Sequence, residues 1–395
     1  MRFLAGLLVL ILASSAMAQD KLRPGKGEQL SEDLIRYVYN RGGQTTTIFV
    51  PIRPGDSSFL LTALAADSRS EVRVLNVQTP SGAVPYRLDR NARGRAAVVS
   101  PITTFPIAEE REVSMIYPLH PGAPLTPGTY AVTVETTGRA GIKGATAVVK
   151  GALRARQAID FNIWVALDNP ALKTQTFQQR FGGAIRRQMN RLLVPYRMQV
   201  GQLRFYNATA EEARTLDTPS IEDVRTVCRG MQRRVGLSRA MNLIWVNRIT
   251  YRNIAAYGGI ASGQPGSMFL GESDMTCVMA SFNTYGNDLD QHAVNFLHEA
   301  AHFMGLPHTT ESDGRTFDRF SDTPTCPIAR HDGSYNSAFG VLGKRDGSVD
   351  DYECGRRGGA DNFLFYGGVS SMRPFKITPQ QAWVMQRHPL FYPIN

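Results

Sequence analysis

The feature that most constrains this chain is the eleven-residue stretch His298-Glu299-Ala300-Ala301-His302-Phe303-Met304-Gly305-Leu306-Pro307-His308. On a helix, His298 and His302 lie one turn apart on the same face, so both imidazoles can reach one metal ion. Gly305 can adopt the left-handed conformation that ends a helix, which would bring His308 back as a third nitrogen ligand. The stretch therefore predicts a helix that stops at Gly305 beside a metal ion.

The residue types of this stretch indicate catalysis as well as metal binding. Three neutral imidazoles and one water form the tetrahedral site of a catalytic zinc ion, which keeps one position open. Glu299 projects beside the two helical histidines, where it can act as general base on the zinc-bound water. The helix is amphipathic, and its predicted core side consists of Ala293, Leu297, Ala300, Ala301 and Met304.

The first part of the chain has the pattern of an all-β structure. Segments between residues 45 and 150 are rich in β-branched and aromatic residues, and turn formers such as Pro121-Gly122 and Pro127-Gly128 separate them. Strands at this spacing without helical periodicity predict a β-sandwich-like domain over residues 19–150. Residues 151–157 are predicted to be a linker.

From residue 158 onwards, predicted strands alternate with helices. Helical periodicity covers residues 174–193, 221–235 and 288–304, and a last helix starts with Thr378 as its cap and Pro379 at its first position. Apolar strands lie at 159–166, 198–206, 241–246 and 276–281. Residues 158–395 are therefore predicted to form an α/β domain, with a mixed twisted sheet beside the active-site helix.

At the histidine motif the sequence resembles the metzincin zinc peptidases. The similarity continues in segments that resemble pappalysin-like metzincins and related secreted bacterial peptidases, at residues 308–311, 313–314, 317–318, 322–324, 361–366 and 378–381. The resemblance extends over residues 158–395 and implies a metzincin-like catalytic domain with zinc ligands at His298, His302 and His308. It also implies that the Gly-rich stretch 257–266 contains a substrate-binding edge strand.

One departure from that family lies beneath the metal site. Metzincins carry a methionine turn there, and alignment on Asn362 and Tyr366 places Leu364 in the methionine position, with Met372 as the competing candidate. Leu has a volume similar to that of Met, so we expect the substitution to affect catalytic efficiency more than zinc binding. In the same alignment Tyr366 corresponds to a tyrosine that stabilises the oxyanion in several metzincins. The alternative is a core aromatic residue, because Phe363 and Phe365 adjoin it.

The amino terminus has the features of a signal peptide. Arg2 precedes the apolar segment 3–13, and Ala16-Met17-Ala18 is a small-x-small cleavage site, which predicts removal of residues 1–18. An apolar segment of this length is too short to span a bilayer, so no integral membrane segment is expected. The first cysteine is Cys228, which excludes a lipid-anchored cysteine at the mature terminus. We expect a secreted or periplasmic protein.

The four cysteines are expected to form disulfides, because an even number in an exported chain favours pairing. Three pairings are open, and we predict Cys228–Cys277 and Cys326–Cys354. The first would join a helix to the strand before the active helix. The second would close the irregular loop beyond His308.

Two weaker patterns concern cation binding and the remaining histidines. An acidic region contains Glu311, Asp313, Asp318, Asp322, Asp350 and Asp351. It is interpreted either as solvated loop carboxylates or as a Ca²⁺ site, which needs six to eight oxygens. The other histidines fit no ligand spacing and are expected at the surface: His120, His292, His331 and His388.

The net charge of +10 does not indicate nucleic-acid binding. The arginines are scattered, with pairs such as Arg186-Arg187 and Arg233-Arg234 on predicted helices, whereas a nucleic-acid site needs clustered charge. A loose association with an anionic cell envelope is the partner that this charge favours. No nucleic-acid partner is expected.

Together these patterns predict a secreted zinc-dependent endopeptidase that acts on a protein or peptide substrate. The rival hypothesis is a cell-surface or periplasmic binding protein whose metzincin-like domain has little or no activity; the intact Glu299 opposes it, because binding needs no base. For residues 19–150 the alternatives are an accessory domain or an inhibitory pro-segment. A pro-segment without cysteine would have to ligate zinc through an acidic residue such as Asp56 or Asp89.

Overall fold

The computed structural model describes residues 20–88, 111–118, 120–216, 221–236, 238–251, 254–255, 258–271, 273, 276–328, 335–336, 341–342, 348–367 and 375–394. The predicted signal peptide and the residues Asp89, His331 and Met372 lie outside this part of the chain. The predictions that concern them stay predictions.

The described residues contain twenty strands and six α-helices. The strands are β1 (Asp20–Leu22), β2 (Glu28–Ser31), β3 (Leu34–Tyr39), β4 (Thr45–Ile52), β5 (Ser58–Ala65), β6 (Val72–Gln78), β7 (Tyr86–Arg87), β8 (Glu112–Tyr117), β9 (Gly128–Thr136), β10 (Ile142–Lys150), β11 (Gln157–Ala166), β12 (Met198–Asn207), β13 (Ala240–Val246), β14 (Thr250–Tyr251), β15 (Ile254–Ala255), β16 (Gly259–Ala261), β17 (Cys277–Ser281), β18 (Tyr335–Asn336), β19 (Val341–Leu342) and β20 (Tyr392–Pro393). The helices are α1 (Gln175–Leu193), α2 (Ala210–Thr215), α3 (Ile221–Val235), α4 (Leu289–Phe303), α5 (Asp351–Cys354) and α6 (Pro379–Arg387).

The first two sheets pack face to face as a β-sandwich. One has the order β1-β4-β9-β6-β7 and the other β2-β3-β10-β5-β8. Their facing side chains alternate along each strand, as in Ile48 and Val50 of β4 and in Leu61 and Ala63 of β5, and all of them are buried in one cluster. This period of two is what the sandwich requires, because successive strand residues point to opposite faces.

The third sheet has the order β12-β11-β13-β17-β16, and β20 pairs with β11. The pairs β11–β12, β11–β13 and β13–β17 are parallel, whereas β16 runs antiparallel to β17. Helices α1 and α4 cover one face, where Phe181 stacks on Trp245 at 4.1 Å between ring centroids. Helix α3 covers the other face through Val227 and Met231. This sheet supports α4 and therefore the histidine motif.

The outer face of the second sheet is also buried. Leu60 of β5, Ile116 of β8 and Val148 of β10 belong to the same hydrophobic cluster as the third sheet and its helices. At the end of β10, the buried Lys150 donates from Nζ to the Gln157 side chain at 2.7 Å and to the His388 carbonyl at 3.1 Å. The outer face of the second sheet thus belongs to the same core as the third sheet, whereas the interior of the sandwich forms a core of its own.

The α/β metzincin-like fold class that the sequence predicted is wrong. The described chain is rich in sheet, with three sheets of five or six strands and few helices, and its architecture is β-sandwich-like. The predicted helices do form, and α6 starts with the predicted Thr378 cap and Pro379. They do not set the architecture, because the second sheet is buried on both faces and its outer face shares a hydrophobic cluster with the third sheet and its helices. The alternation pattern alone could not reveal the burial of that outer face, because it also carries polar residues such as Thr62, Ser114 and Thr146.

Both predicted disulfides are confirmed. Cys228 of α3 is bonded to Cys277 of β17, and Cys326 is bonded to Cys354 of α5. Two disulfides fit an extracellular or periplasmic protein, since thiols stay reduced in the cytosol. Among the described helices, none is both long and apolar enough to cross a membrane.

Two histidines that were expected at the surface are buried instead. His292 packs against the Phe282 ring, with 5.3 Å between centroids, and its Nε2 is 2.9 Å from the Gly286 carbonyl oxygen. His388 lies against Phe303, and its Nδ1 accepts from the Leu390 amide at 3.3 Å. Burial lowers the pKa of His292 to about 4 and the pKa of His388 to about 3.

These lowered pKa values predict acid sensitivity of the fold. Below about pH 6.5 the unfolded chain binds protons at these two rings that the folded protein does not, so acid favours unfolding. Together these two rings should lower the free energy of unfolding by up to about 2.7 kcal/mol per pH unit between about pH 6 and pH 4. Urea denaturation across this range measures it.

His388→Asn should remove about half of that slope, because the amide can accept from Leu390 but does not titrate. His120→Asn is the matched control, since His120 lies partly exposed in a turn. An unchanged slope in His388→Asn would show that this ring does not carry the acid sensitivity.

Candidate metal centre

Helix α4 places two of the predicted ligands on one face and then ends as predicted. Asp288 caps it by accepting from the Gln291 amide at 3.0 Å. At the other end Gly305 has φ 99°, in the left-handed region that favours glycine. The Gly305 amide donates to the His302 carbonyl and the Leu306 amide to the Ala301 carbonyl. This is a Schellman motif, and it turns the chain back towards the helix.

The turn brings His308 beside His298 and His302. The Nε2 atom of His298 is 3.1 Å from Nε2 of His302 and 3.2 Å from Nε2 of His308. The ligand atoms of all three lie within 4.8 Å of one another, so the triad could hold a metal ion. His298 is buried and His308 is partly exposed, which leaves the group accessible from one side.

The second ring nitrogen of each histidine has a partner of its own. Nδ1 of His298 donates to the Phe363 carbonyl at 2.6 Å, and Nδ1 of His302 donates to the Leu306 carbonyl at 2.6 Å. Nδ1 of His308 is 2.8 Å from Oε2 of Glu311. Carbonyl and carboxylate oxygens accept hydrogen bonds, so the hydrogen is placed on Nδ1 in each ring.

It follows that the Nε2 lone pairs of the three rings converge. Burial lowers the pKa of His298 to about 3, so this ring is neutral at physiological pH. A neutral imidazole that carries its hydrogen on Nδ1 presents an unprotonated Nε2. Three converging lone pairs repel one another, and a cation bound by all three replaces that repulsion with attraction. The donor set therefore suits a metal ion that prefers nitrogen ligands.

Glu299 lies next to the triad and is almost fully buried, with 6% of its surface exposed. Burial raises the pKa of Glu299 to about 8, because the charged carboxylate loses hydration. A bound cation would lower the pKa of Glu299 instead. A carboxyl group with a raised pKa is a stronger base than an exposed glutamate, which is the property that a general base needs.

The segment that follows α5 lies under the triad. Besides the bond from His298 to Phe363, the Thr309 amide donates to the Leu364 carbonyl at 3.0 Å, and the Tyr366 amide donates to the Thr310 carbonyl at 3.3 Å. Leu364 is fully buried in the main core. This placement is compatible with the predicted position of Leu364 beneath the ligands.

Tyr366 lines the same cleft as the triad, but its hydroxyl donates to the Val349 carbonyl. Its ring packs against Phe365, with 5.1 Å between centroids. Both features agree with the core-aromatic alternative. The predicted catalytic role of the hydroxyl stays a prediction.

The triad lies in a cleft of about 730 Å³. Its lining includes Gln264, Tyr285, Asn295, Ser312 and the backbone of the edge strand β16. Within the described residues β16 is the last strand of the third sheet, as predicted for the Gly-rich stretch. A cleft of this size and lining can hold an extended peptide segment.

The acidic region does not assemble a second cation site among the described residues. Asp313 accepts from the Arg315 amide, Asp322 from the Gln380 amide, and Asp350 caps α5 by accepting from the Glu353 amide. Among the described residues, the histidine triad is the group of His, Cys, Asp or Glu side chains whose ligand atoms lie close enough to hold one metal ion. The Ca²⁺ interpretation of this region stays a prediction.

Asp56, the candidate ligand of an inhibitory pro-segment, lies in a turn of the sandwich. Its carboxylate accepts from the Arg53 amide at 2.7 Å and is 3.5 Å from the Arg53 guanidinium. It does not belong to the metal-binding group. The choice between an accessory domain and a pro-segment stays a prediction.

Two residues of the cleft do not stand out in the sequence. Glu311 belongs to the acidic region, and only its spacing of three residues after His308 indicates a partner for the third ligand. Asn295 fits no motif, but it precedes Glu299 by one helical turn and therefore faces the same cleft.

Comparisons with known proteins do not assign this chain to a family. No protein-family model matches it, and no curated protein matches it. Solved structures with weak similarity include the pre-peptidase C-terminal domain of collagenase from Bacillus anthracis, 8% identical with a TM-score of 0.16 over 33% of this chain and 92% of that one.

Two other solved structures are no more similar. The N-terminal modules of endo-1,4-beta-D-xylanase 10B from Clostridium thermocellum are 11% identical, with a TM-score of 0.14 over 68% of this chain and 47% of that one. The cytochrome b5 reductase domain of nitrate reductase from Ulva prolifera is 11% identical, with a TM-score of 0.10 over 58% and 74%. Such low scores support neither a fold nor a function, and the resemblance to metzincins stays a prediction from the motif.

The contact between His308 and Glu311 predicts an effect on metal affinity. Glu311→Leu removes the acceptor of Nδ1 and frees the ring to rotate, so we expect metal to bind about 10- to 100-fold more weakly. Competition with a chelator of known affinity measures this. Glu311→Gln is the matched control, because its amide oxygen still accepts from Nδ1. Equal affinity in Glu311→Leu and the wild type would contradict the proposed role of the contact.

Proposed function

We propose that this protein is a zinc-dependent endopeptidase. The observation that carries the proposal is the convergence of the three Nε2 atoms of His298, His302 and His308 beside the buried carboxyl of Glu299, in a cleft bordered by an edge strand. A buried carboxyl beside a nitrogen-lined cation site serves proton transfer at an activated water. A site that only stores a metal needs no such base.

The distances from Nε2 of His298 to the other two nitrogens support zinc. Zinc–nitrogen bonds of about 2.0–2.1 Å at tetrahedral angles separate two ligand nitrogens by roughly 3.3 Å. The observed separations of 3.1 and 3.2 Å come close to this value. Three neutral imidazoles leave a fourth tetrahedral position, which is the arrangement of catalytic rather than structural zinc.

Zinc bound by these histidines would supply a Lewis acid that polarises a peptide carbonyl and lowers the pKa of water to about 7. Glu299 takes the proton of the attacking water at its carboxylate and can return it to the leaving amine. Burial of Glu299 excludes bulk water from that carboxylate and strengthens its interaction with the reacting groups.

The edge strand β16 supports a peptide substrate. One side of β16 pairs with β17, and the strand lines the cleft next to Glu299 and His302. An extended peptide can pair with a free strand edge through its main chain, which fixes its path without fixing its sequence. A scissile bond held in this way would pass over the triad.

The proposal is tested by incubating the purified mature protein with a mixture of denatured proteins, with and without a chelator, and mapping the new termini. Cleavage that stops with the chelator and returns with zinc is expected. Bound metal without new termini would favour the second candidate below. A neutral-pH protein without bound metal would contradict both.

Glu299→Gln separates zinc binding from catalysis. The amide has nearly the same shape but cannot accept the proton, so we expect cleavage to slow by at least about 10³, equivalent to roughly 4 kcal/mol of barrier. Zinc content should remain as in the wild type, because Glu299 is not a ligand. Cleavage at the wild-type rate would remove Glu299 from the mechanism.

A second candidate function is a binding protein whose metal centre has little activity. The observation that favours it is the Tyr366 hydroxyl, which donates to the Val349 carbonyl. To stabilise an oxyanion, the phenol would have to exchange that partner when substrate binds. The buried Glu299 carboxyl favours the peptidase.

Tyr366→Phe tests the oxyanion role, because it removes the hydroxyl and leaves the ring in place. If the hydroxyl donates to the oxyanion, the interaction is stronger in the transition state than in the ground state. We then expect kcat to fall about tenfold, with KM and zinc content little changed. An unchanged kcat would leave the hydroxyl with its structural bond to Val349.

A further inference from the structure

A buried amide side chain lies in the cleft one helical turn before Glu299. Asn295 of α4 has 2% of its surface exposed, and it lines the cleft together with Tyr285 and the start of β16. Residues four apart on a helix project from the same face, so Asn295 and Glu299 are neighbours along the cleft. Asn is less favourable than Leu or Ala within a helix, so its place here calls for a specific contact.

That contact is with the backbone at the start of the edge strand. Nδ2 of Asn295 donates to the Gly258 carbonyl at 2.8 Å, and the same oxygen accepts from the Ser281 amide at 2.9 Å. The Tyr285 hydroxyl donates to Oδ1 of Asn295 at 3.4 Å, which orients the amide with Nδ2 towards Gly258. The Gly258 carbonyl is thus held from two directions, by the sheet and by α4.

The next residue lies directly against the proposed base. A Cβ atom on Gly259 would be 2.4 Å from Cγ and 2.6 Å from Oε1 of Glu299, far inside contact distance. Backbone and carboxyl therefore touch at this point, and there is no room for a side chain. A small shift of β16 would change the space available to the Glu299 carboxyl.

We infer that Asn295 is a positioning residue that sets the distance between the edge strand and the Glu299 carboxyl. It acts through its hydrogen bond to the Gly258 carbonyl. The inference rests on the proposed peptidase function for its catalytic consequence. Its structural part, that Asn295 holds β16, stands on the hydrogen bonds alone.

Two variants remove the donor in different ways. Asn295→Leu fills a similar volume without hydrogen bonds, while Gly258 keeps its bond from Ser281. Asn295→Asp keeps the shape and the acceptor for Tyr285 but cannot donate to Gly258. The matched control is Asn162→Leu, since Asn162 is a buried amide in β11 that bonds to Asn242 and does not line the cleft.

Cleavage of an extended peptide substrate, zinc content and thermal stability are measured for each variant. For both Asn295 variants we expect kcat/KM to fall about 10- to 100-fold with zinc content unchanged, because a displacement of about 1 Å at a reacting group has effects of this size. The control should lose stability while keeping wild-type kcat/KM. A purely structural role of Asn295 would instead lower activity only in proportion to stability or zinc content, and that result overturns the inference.

Hydrogen exchange of residues 259–261 provides a readout that does not depend on peptidase activity. Loss of the Asn295 bond should accelerate exchange there in both variants and leave it unchanged in Asn162→Leu. If the wild type cleaves nothing, the proposed function fails, and exchange still decides whether Asn295 holds β16. Unchanged exchange in the Asn295 variants overturns the inference whatever the activity.

Discussion

The hydrogen bond from Nδ1 of His298 to the Phe363 carbonyl is the constraint on which the candidate metal centre depends. It joins α4 to a segment 65 residues later in the chain and places the hydrogen on Nδ1, so that Nε2 is free for a metal. His302 and His308 are oriented in the same way, by the contacts of their Nδ1 atoms with the Leu306 carbonyl and with Glu311. The outer hydrogen-bond partners thus fix the orientation of the three rings before a metal ion binds. Less free energy is then lost to ordering the rings when the ion binds.

The loop that carries the third ligand is held by a small core of its own. The Cys326–Cys354 disulfide lies in it with Val349, Ala360 and Phe365. The Cys326 amide donates to the Thr310 hydroxyl at 3.2 Å, two residues after His308. A long irregular segment has little periodic hydrogen bonding, so a disulfide and a few buried side chains limit its freedom beside the ligand.

The β-sandwich contributes to the cleft indirectly. The loop between β16 and β17 packs on the second sheet, where Met268 and Phe269 enter the common core and Ser273 donates to the buried Glu112. The edge strand that borders the cleft is therefore continuous with a loop that the sandwich supports. Residues 20–150 therefore support the structure around the candidate metal centre.

The sequence by itself determined the local features of the site. The four-residue spacing of His298 and His302 and the left-handed Gly305 depend only on helix geometry, so they could be predicted without knowledge of the fold. The burial of His292 and His388, the contact of Asn295 with Gly258 and the burial of the outer face of the second sheet could not be predicted in this way. Each depends on which distant segment packs against the residue. Residue periodicity shows which face of a helix or strand is buried, but not which segment covers that face. The tertiary structure alone decided these contacts, because packing between sheets and helices selects the partner of each buried face and polar group.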